Sequence, residues 1–551
     1  MPERLTGYPA SPGAAAGPAA RLGEPPSLPA EVPVVVEAAA QAEELAKARA
    51  ALAEVAEQLR RRAKDKPREV ADVLTTTAVM ALDPSLDQAV ADAVAAGRAA
   101  PWAVRDALAG FQDMLLAAGG YLAERAADLD DIGARALAVL LDVPMPGMPD
   151  PGYPYVLVAS DLSPADTATL DPRQVLAIVT ERGGPTSHTV ILARTLGLPA
   201  VVACPAAASI VEGQLLAVDA GAGTVVVEPD DAEVDELLAA ERARRDALAS
   251  TSGPGRTADG HPVSLLVNVG AEGVGFDAVS TVDAEGVGLF RTEFLFLDSP
   301  TAPTRAEQQA VYRRLFDGFA GRTVVVRTLD AGADKPLAFV QVDDEPNPAL
   351  GVRGYRTSVA LPQLLDDQLA AIAAAARASG AVVKVMAPMV STAAEAAAFV
   401  ELAHGHGIAS AGVMIEVPSA ALRAAELVEV VDFVSIGTND LSQYTFAADR
   451  MLGALSELLD PWQPALLQLV AMVAKAGAEA AVPVGVCGEA AADPRLALVL
   501  TGLGVTSLSM AAPAVPAVRA ALAGRDIGWC REVAEAVVAA SGPAAARTLV
   551  G

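Results

Sequence analysis

The stretch Thr323-Val324-Val325-Val326-Arg327-Thr328-Leu329-Asp330 is an apolar, β-branched run that ends on an arginine and, three residues on, an aspartate. β-Branched residues favour strands, and an unbroken apolar run suits a strand buried on both faces, as in a parallel sheet. Seven further runs read the same way: 263–269, 286–290, 382–387, 411–416, 431–436, 482–487 and 504–509. Helical patterns such as Pro362 to Ala378 and Ala393 to His404 lie between many of them. Eight strands alternating with helices over roughly 300 residues match the size and order of a TIM (β/α)8 barrel.

The polar residues fall where barrel chemistry is expected. Arg291 follows the second run, Arg327 ends the third, Glu416 ends the fifth, Asn439 and Asp440 follow the sixth, and Cys487 ends the seventh. Active sites of this fold gather at the C-terminal ends of the strands. A core would not collect charges along that one rim, because burying them unpaired is costly. Arginines with two carboxylates suit a small, highly anionic molecule together with a hard divalent cation. Guanidiniums match phosphate oxygens in pairs, and one or two carboxylates are the usual protein contribution to Mg²⁺ binding. Arg291, Arg327, Arg353 and Arg450 are the candidate clamps, and Lys335 adds a point charge. Each of these alone reads as a surface ion pair; their joint placement after successive strands is the signal.

Upstream of the barrel, Gly183-Gly184-Pro185-Thr186-Ser187-His188-Thr189-Val190-Ile191-Leu192-Ala193-Arg194 pairs a turn with the apolar spacing of a short helix ending near Gly197. His188 is therefore expected at a helix start. Free N–H groups and the positive end of the helix dipole there would stabilise negative charge on the imidazole, as in a phosphohistidine. A cap or a metal ligand is the alternative reading. Around this loop, short apolar runs at 156–159, 175–179, 201–202, 215–218 and 225–227 alternate with turns, giving a compact α/β unit. Residues 4–23 read as an edge strand and turns. Residues 34–141 change to alanine-rich helical periodicity, a hairpin or small bundle inserted in the α/β unit. Asp231 to Ala249 is a helix, and Thr251-Ser252-Gly253-Pro254-Gly255 a flexible joint.

Composition bounds the partners. The chain has 551 residues, 40 basic against 68 acidic, for a net charge of −28. That excess argues against nucleic acid and anionic membranes; it either steers a basic protein partner or keeps an alanine-rich chain soluble. Cys204, Cys487 and Cys530 are too few and too scattered for disulfides or zinc, which suits a reducing cytoplasm. No secretory leader is read in Met1 to Ala20. Leu496 to Val518 carries no charge, but Gly502, Gly504, Pro513 and Pro516 interrupt it, so strand plus loops is expected and not a membrane span.

The His188 loop resembles the phosphohistidine loop of the phosphoenolpyruvate-utilising enzymes: enzyme I of the bacterial sugar phosphotransferase system, pyruvate phosphate dikinase and phosphoenolpyruvate synthase. Gly288-Leu289-Phe290-Arg291-Thr292-Glu293-Phe294, Arg327-Thr328-Leu329-Asp330, Asn347-Pro348-Ala349-Leu350-Gly351-Val352-Arg353, Val413-Met414-Ile415-Glu416, Gly437-Thr438-Asn439-Asp440 and Cys487-Gly488-Glu489 resemble enzyme I in order and spacing. The resemblance implies phosphoenolpyruvate binding by Arg291, Arg327, Asn439 and Arg450, Mg²⁺ binding by Glu416 and Asp440, and proton donation to the enolate by Cys487. Unaided, Cys487 reads as a buried apolar cysteine. Asp161 to Thr167 resembles a segment whose last threonine supports the reactive histidine; a cap or turn hydroxyl is the rival account of Thr167.

The implied organisation is a phosphohistidine α/β domain (1–24 and 142–230), a helical subdomain (25–141) that docks the phosphocarrier protein HPr, a linker (231–257), and a barrel (258–551) that binds phosphoenolpyruvate and forms a homodimer. Pro185 and Thr75-Thr76-Thr77 depart from the family pattern near the carrier-docking elements. Two alternatives are a dikinase or synthase, for which the first 150 residues show no room for a nucleotide-binding region, and a phosphoenolpyruvate sensor without turnover.

Overall fold

The computed structural model describes the chain apart from residues 1–2, 24–25, 27, 29–34, 64–67, 119–125, 144–147, 163–169, 184–188, 191–192, 194–195, 250, 271–275, 298–300, 333–336, 338, 340–344, 346, 450–452 and 551. It divides into two compact units, Met1–Arg244 with Met451–Ser456, and Arg245–Arg450 with Glu457–Gly551.

The first unit holds one eight-stranded sheet. Its strands are β1 (Glu3–Thr6), β2 (Tyr8–Ser11), β3 (Ala14–Arg21), β4 (Tyr155–Ala159), β5 (Val175–Thr180), β6 (Ala200–Val202), β7 (Leu215–Asp219) and β8 (Thr224–Val227), in the order β1-β8-β7-β3-β4-β5-β6-β2. Alternation along β4 sends Val156 and Val158 into one apolar cluster and Tyr155, Leu157 and Ala159 into another, so both faces are covered. Thr189, Val190, Ala193 and Leu196 are helical and stop before Gly197, as the spacing predicts for the stretch after His188.

Within residues 4–23 the expected edge strand is met by β1 and β2 at the two ends of the sheet, whereas β3, in a stretch read as turns, lies in its middle. Gly17 and Pro18 look like turn residues, yet Pro18 sits where the strand changes partner. Ala14 to Pro18 pair antiparallel with β7, and Ala19 to Arg21 pair parallel with β4, so the missing N–H falls at a seam. At Gly17 a Cβ would come within 2.6 Å of Leu176 Cδ1, so the tip of that leucine would have to shift to admit a side chain.

Between β3 and β4 the chain forms helices at Ala38–Ala63, Arg68–Met80, Pro84–Ala95, Ala100–Ala118 and Ala126–Leu140. They share a core of Leu52, Val55, Leu59, Leu74, Val90, Val104 and Ile132. Asp83 caps the third of them, accepting from the Ser85 N–H at 2.7 Å, with Pro84 at the first helical position. Arg135 and Asp131 form a buried bidentate pair one turn apart, at 2.7 and 2.8 Å.

In the second unit the eight apolar runs are strands: β9 (Ser264–Val269), β10 (Gly286–Phe290), β11 (Thr323–Arg327), β12 (Val382–Ala387), β13 (Ala411–Ile415), β14 (Val434–Ile436), β15 (Val484–Val486) and β16 (Ser507–Met510). They are parallel throughout and close into a barrel, with β16 bonded to β9. Alternation again sorts the side chains. Val324 and Val326 join the large core that includes the surrounding helices, whereas Val325 joins a second cluster with Leu289, Met386, Met414, Phe433 and Cys487 that fills the barrel interior. The uncharged stretch 496–518 is not strand plus loops. It contains a helix, Pro494–Gly502, then β16, then a helix, Val515–Ala523. Leu496 to Thr501 are all buried, so the first helix carries no polar face by which its period could be read.

Candidate functional site at the barrel rim

The barrel brings Arg327, Arg353, Glu416, Asp440 and Cys487 to the C-terminal ends of its strands, all of them buried. Arg327 ends β11, and Glu416 directly follows β13. Asn439 and Asp440 open the helix Thr438–Phe446 after β14, and Cys487 directly follows β15. Ion pairs link these groups. The Arg327 guanidinium meets the Glu293 carboxylate and lies 3.2 Å from Asp330. Arg353 lies 3.3 Å from Asp330 and 3.2 Å from Asp440, and donates to the Tyr444 hydroxyl at 3.1 Å. Asp330 thus ties both buried arginines together. Burial opposes the charge on Arg327, but Glu293, Asp330, Glu416 and Asp440 outweigh it and hold the guanidinium protonated.

Glu416 is fully buried. One carboxylate oxygen accepts from the Met389 N–H at 2.7 Å; the other, Oε2, has no hydrogen-bond partner among the described residues. Burial, with Asp440 and Asp330 nearby, pushes this carboxyl up to about 8, against the opposing pull of Arg327 and the Met389 N–H. A buried carboxylate with a spare oxygen beside a second carboxylate fits a hard divalent cation. Among the described residues no three His, Cys, Asp or Glu side chains converge as a complete cage. Two carboxylates suit a cation that completes its shell with water and substrate oxygens.

Cys487 is 2% exposed and its Sγ lies 3.6 Å from the Ile436 carbonyl oxygen. Burial pushes the thiol up to about 11. A hydrogen bond from Ser435 works against this, Glu416 adds to it, and Arg327 and Arg291 oppose it. The group is therefore a thiol, and a proton donor, across the neutral range. Asn439 is half-buried and accepts from the Glu489 N–H at 3.1 Å. Arg291 is exposed just beyond β10, its N–H donating to the Val269 carbonyl at 2.9 Å. His188, Thr167, Lys335 and Arg450 lie outside the described residues.

Sequence reading assigned no role to Glu293, Asp330 or Asn268. The first two are the acids that neutralise Arg327 and Arg353; their signal was position, three residues or fewer after a rim arginine. Asn268 was marked only by being an amide inside the apolar run Leu265-Leu266-Val267-Asn268-Val269.

A closed parallel barrel carrying arginines, several carboxylates and a thiol at one rim defines a barrel enzyme that handles a small anion beside a divalent cation. The sequence matches three domains described for PEP-utilising enzymes: the N-terminal domain over residues 6–125, the mobile domain over 152–223 and the PEP-binding domain over 246–527. The chain belongs to the PEP-utilising enzyme family. It is 51% identical to a phosphoenolpyruvate-protein phosphotransferase of Streptomyces coelicolor, over 100% of this chain and 98% of that protein. A protein of the same name from Haloferax volcanii is 41% identical over 83% of this chain and 82% of its own length. A multiphosphoryl transfer protein of Rhodobacter capsulatus is 38% identical over 85% of this chain and 58% of its own length.

Proposed function

We propose that the protein is a phosphoenolpyruvate-protein phosphotransferase: it moves the phosphoryl group of phosphoenolpyruvate to its own His188 and then to a histidine of the carrier protein HPr, releasing pyruvate. The observation that carries this is the buried convergence of Arg327, Arg353, Glu416, Asp440 and Cys487 at the barrel rim, in a chain similar along its whole length to a protein of that name.

The chemistry is largely electrostatic and positional. Arg291, Arg327, Arg353 and Arg450, with Asn439 and Lys335, would hold the phosphate and carboxylate of the substrate, and Arg353 would also hold Asp440 in place. Glu416 and Asp440 are the residues that would hold Mg²⁺, which when bound supplies positive charge to the phosphate and enolate oxygens. The His188 imidazole attacks phosphorus, forming an N–P bond as the bridging P–O bond breaks. The enolate left behind takes the Cys487 proton at carbon, giving pyruvate, and the thiolate regains a proton from water. Thr167 would support His188. The phosphohistidine domain (1–24 and 142–230) carries His188, residues 25–141 dock HPr, and the joint within 231–257 lets the histidine reach both sites. The protein is taken to work in the cytoplasm as a homodimer formed through the barrel.

Incubation with Mg²⁺ and phosphoenolpyruvate labelled with radioactive phosphorus should give acid-labile label on the chain that chases onto HPr. A His188→Ala variant that still took up the label would overturn the assignment.

A further inference from the structure

Cys487 lies just past the end of β15. The register of β15 with β16 ends at Val486 opposite Leu508, so the Cys487 carbonyl falls beyond the ladder. Its partner is a side chain from two strands away: Asn268, near the end of β9, donates its amide N–H to the Cys487 carbonyl oxygen at 3.1 Å. Ser509 on β16, the strand between, donates its hydroxyl to the Asn268 Oδ1 at 2.6 Å. Ser509 is 3% exposed and Asn268 half-buried. The barrel leaves room for the bridge on the far side, where β10 has Gly288. A Cβ there would stand 2.4 Å from Ser509 Oγ and 2.5 Å from its Cβ.

A polar side chain in a strand interior needs partners, and Asn268 finds them on both sides of its carboxamide. The bridge bears on the thiol directly. The Cys487 N–H is bonded to the Ile436 carbonyl at 3.1 Å, so with Asn268 holding the C=O, both ends of the cysteine backbone are fixed. With the backbone pinned, the direction of Sγ is left to one torsion, and that torsion is constrained by the Ile436 carbonyl 3.6 Å away.

We propose that Asn268 is a positioning residue for proton donation by Cys487: its carboxamide, oriented by Ser509, locks the Cys487 peptide so that the thiol delivers its proton to one face of the enolate carbon. The inference rests on the reading of Cys487 as proton donor. A donor aimed at one face must be held more tightly than one that merely has to be nearby, since small misplacements of a reacting group cost rate steeply. Loss of the bridge leaves the phosphorus chemistry its arginines and carboxylates and lets the thiol wander relative to carbon 3.

The test follows the stereochemistry of the new C–H bond. Phosphoenolpyruvate bearing a single deuterium at carbon 3, of defined geometry, is turned over in tritiated water by the full-length protein with Mg²⁺ and HPr, the pyruvate is trapped at once by reduction, and the chirality of the methyl group is measured. The wild type should give one chirality and Cys487→Ala a racemic methyl. Asn268→Ala should give a largely racemised methyl, with kcat lowered about 10- to 100-fold and KM for phosphoenolpyruvate moved less than about threefold. Ser509→Ala should shift both in the same direction by less. Should Asn268→Ala fold poorly, Asn268→Asp serves instead, since it keeps an acceptor for Ser509 but has no N–H for Cys487. A racemic Cys487→Ala product with a fully chiral product from the Asn268 and Ser509 variants would overturn the inference and leave the Cys487 reading standing. A chiral product from Cys487→Ala would remove the reading on which it rests.

Discussion

Replacing Arg353 by Met keeps most of the side chain's volume and removes its charge. The guanidinium is 1% exposed and contacts Asp330, Asp440 and the Tyr444 hydroxyl. Asp330 retains Arg327 at 3.2 Å after the change, but Asp440 loses a buried cationic partner while Glu416 remains its anionic neighbour. Breaking a buried pair by removing one partner costs about 3–5 kcal/mol, because a charge is left uncompensated in a poorly hydrated place. At about 2–4 °C per kcal/mol for a large domain, the barrel transition should fall by roughly 6–20 °C in calorimetry without added metal. The loss should shrink when Asp440 is also changed to Asn, because the stranded charge is then gone, and the two changes should couple by at least about 1 kcal/mol. A fall of under about 2 °C, or strictly additive effects, would refute the claim that Arg353 stabilises the rim acids.

Three other substitutions or titrations follow from the same geometry. Glu416 has a folded pKa of about 8, well above its unfolded value, so its contribution to stability is fully present below the unfolded pKa and is lost as pH rises through 8. Glu416→Gln should therefore stabilise the metal-free protein by an amount that grows from about pH 4.5 to 8 and then levels, while lowering turnover at least about 100-fold; denaturant titrations across that range would reveal a flat difference if the reasoning is wrong. Cys487, pushed up to about 11, should resist alkylation by iodoacetamide near pH 7.5 in the native protein and react faster at each step toward pH 11, followed by mass spectrometry of the modified peptide. Phe290→Ala should destabilise the barrel by about 3–5 kcal/mol in urea unfolding, since the ring is fully buried and meets Phe276, Phe294 and Tyr312 edge-on, with centroids 5.6 to 6.2 Å away.

The barrel was legible because its strands are covered on both sides, which makes each a mostly apolar run, and because five of the eight runs end at or are soon followed by polar residues of the rim, Arg291, Arg327, Glu416, Asn439 with Asp440, and Cys487. The same logic failed where burial erased contrast. Residues 494–502 form a helix with a buried run from Leu496 to Thr501, and composition alone cannot distinguish such a helix from a strand. The central strand β3 reads as turns for the opposite reason: Gly17 and Pro18 are breakers in isolation and are tolerated only because the strand trades one partner for another at that point. In the site, arginines and carboxylates announced themselves by position. Asn268 could not, because its importance lies in a carbonyl more than 200 residues away in the chain.

Among the described residues the rim encloses four buried carboxyl groups, Glu293, Asp330, Glu416 and Asp440, and two buried guanidiniums, Arg327 and Arg353. Within this set of six, four minus two leaves two negative charges in excess when all are ionised, in a setting where solvent screens little. A proton retained by Glu416 eases that excess, and a doubly charged cation held there would offset it. The cation that Glu416 and Asp440 would hold thus belongs to the charge balance of the buried layer, while an anionic guest is met by positive charge further out, such as Arg291, exposed just beyond β10.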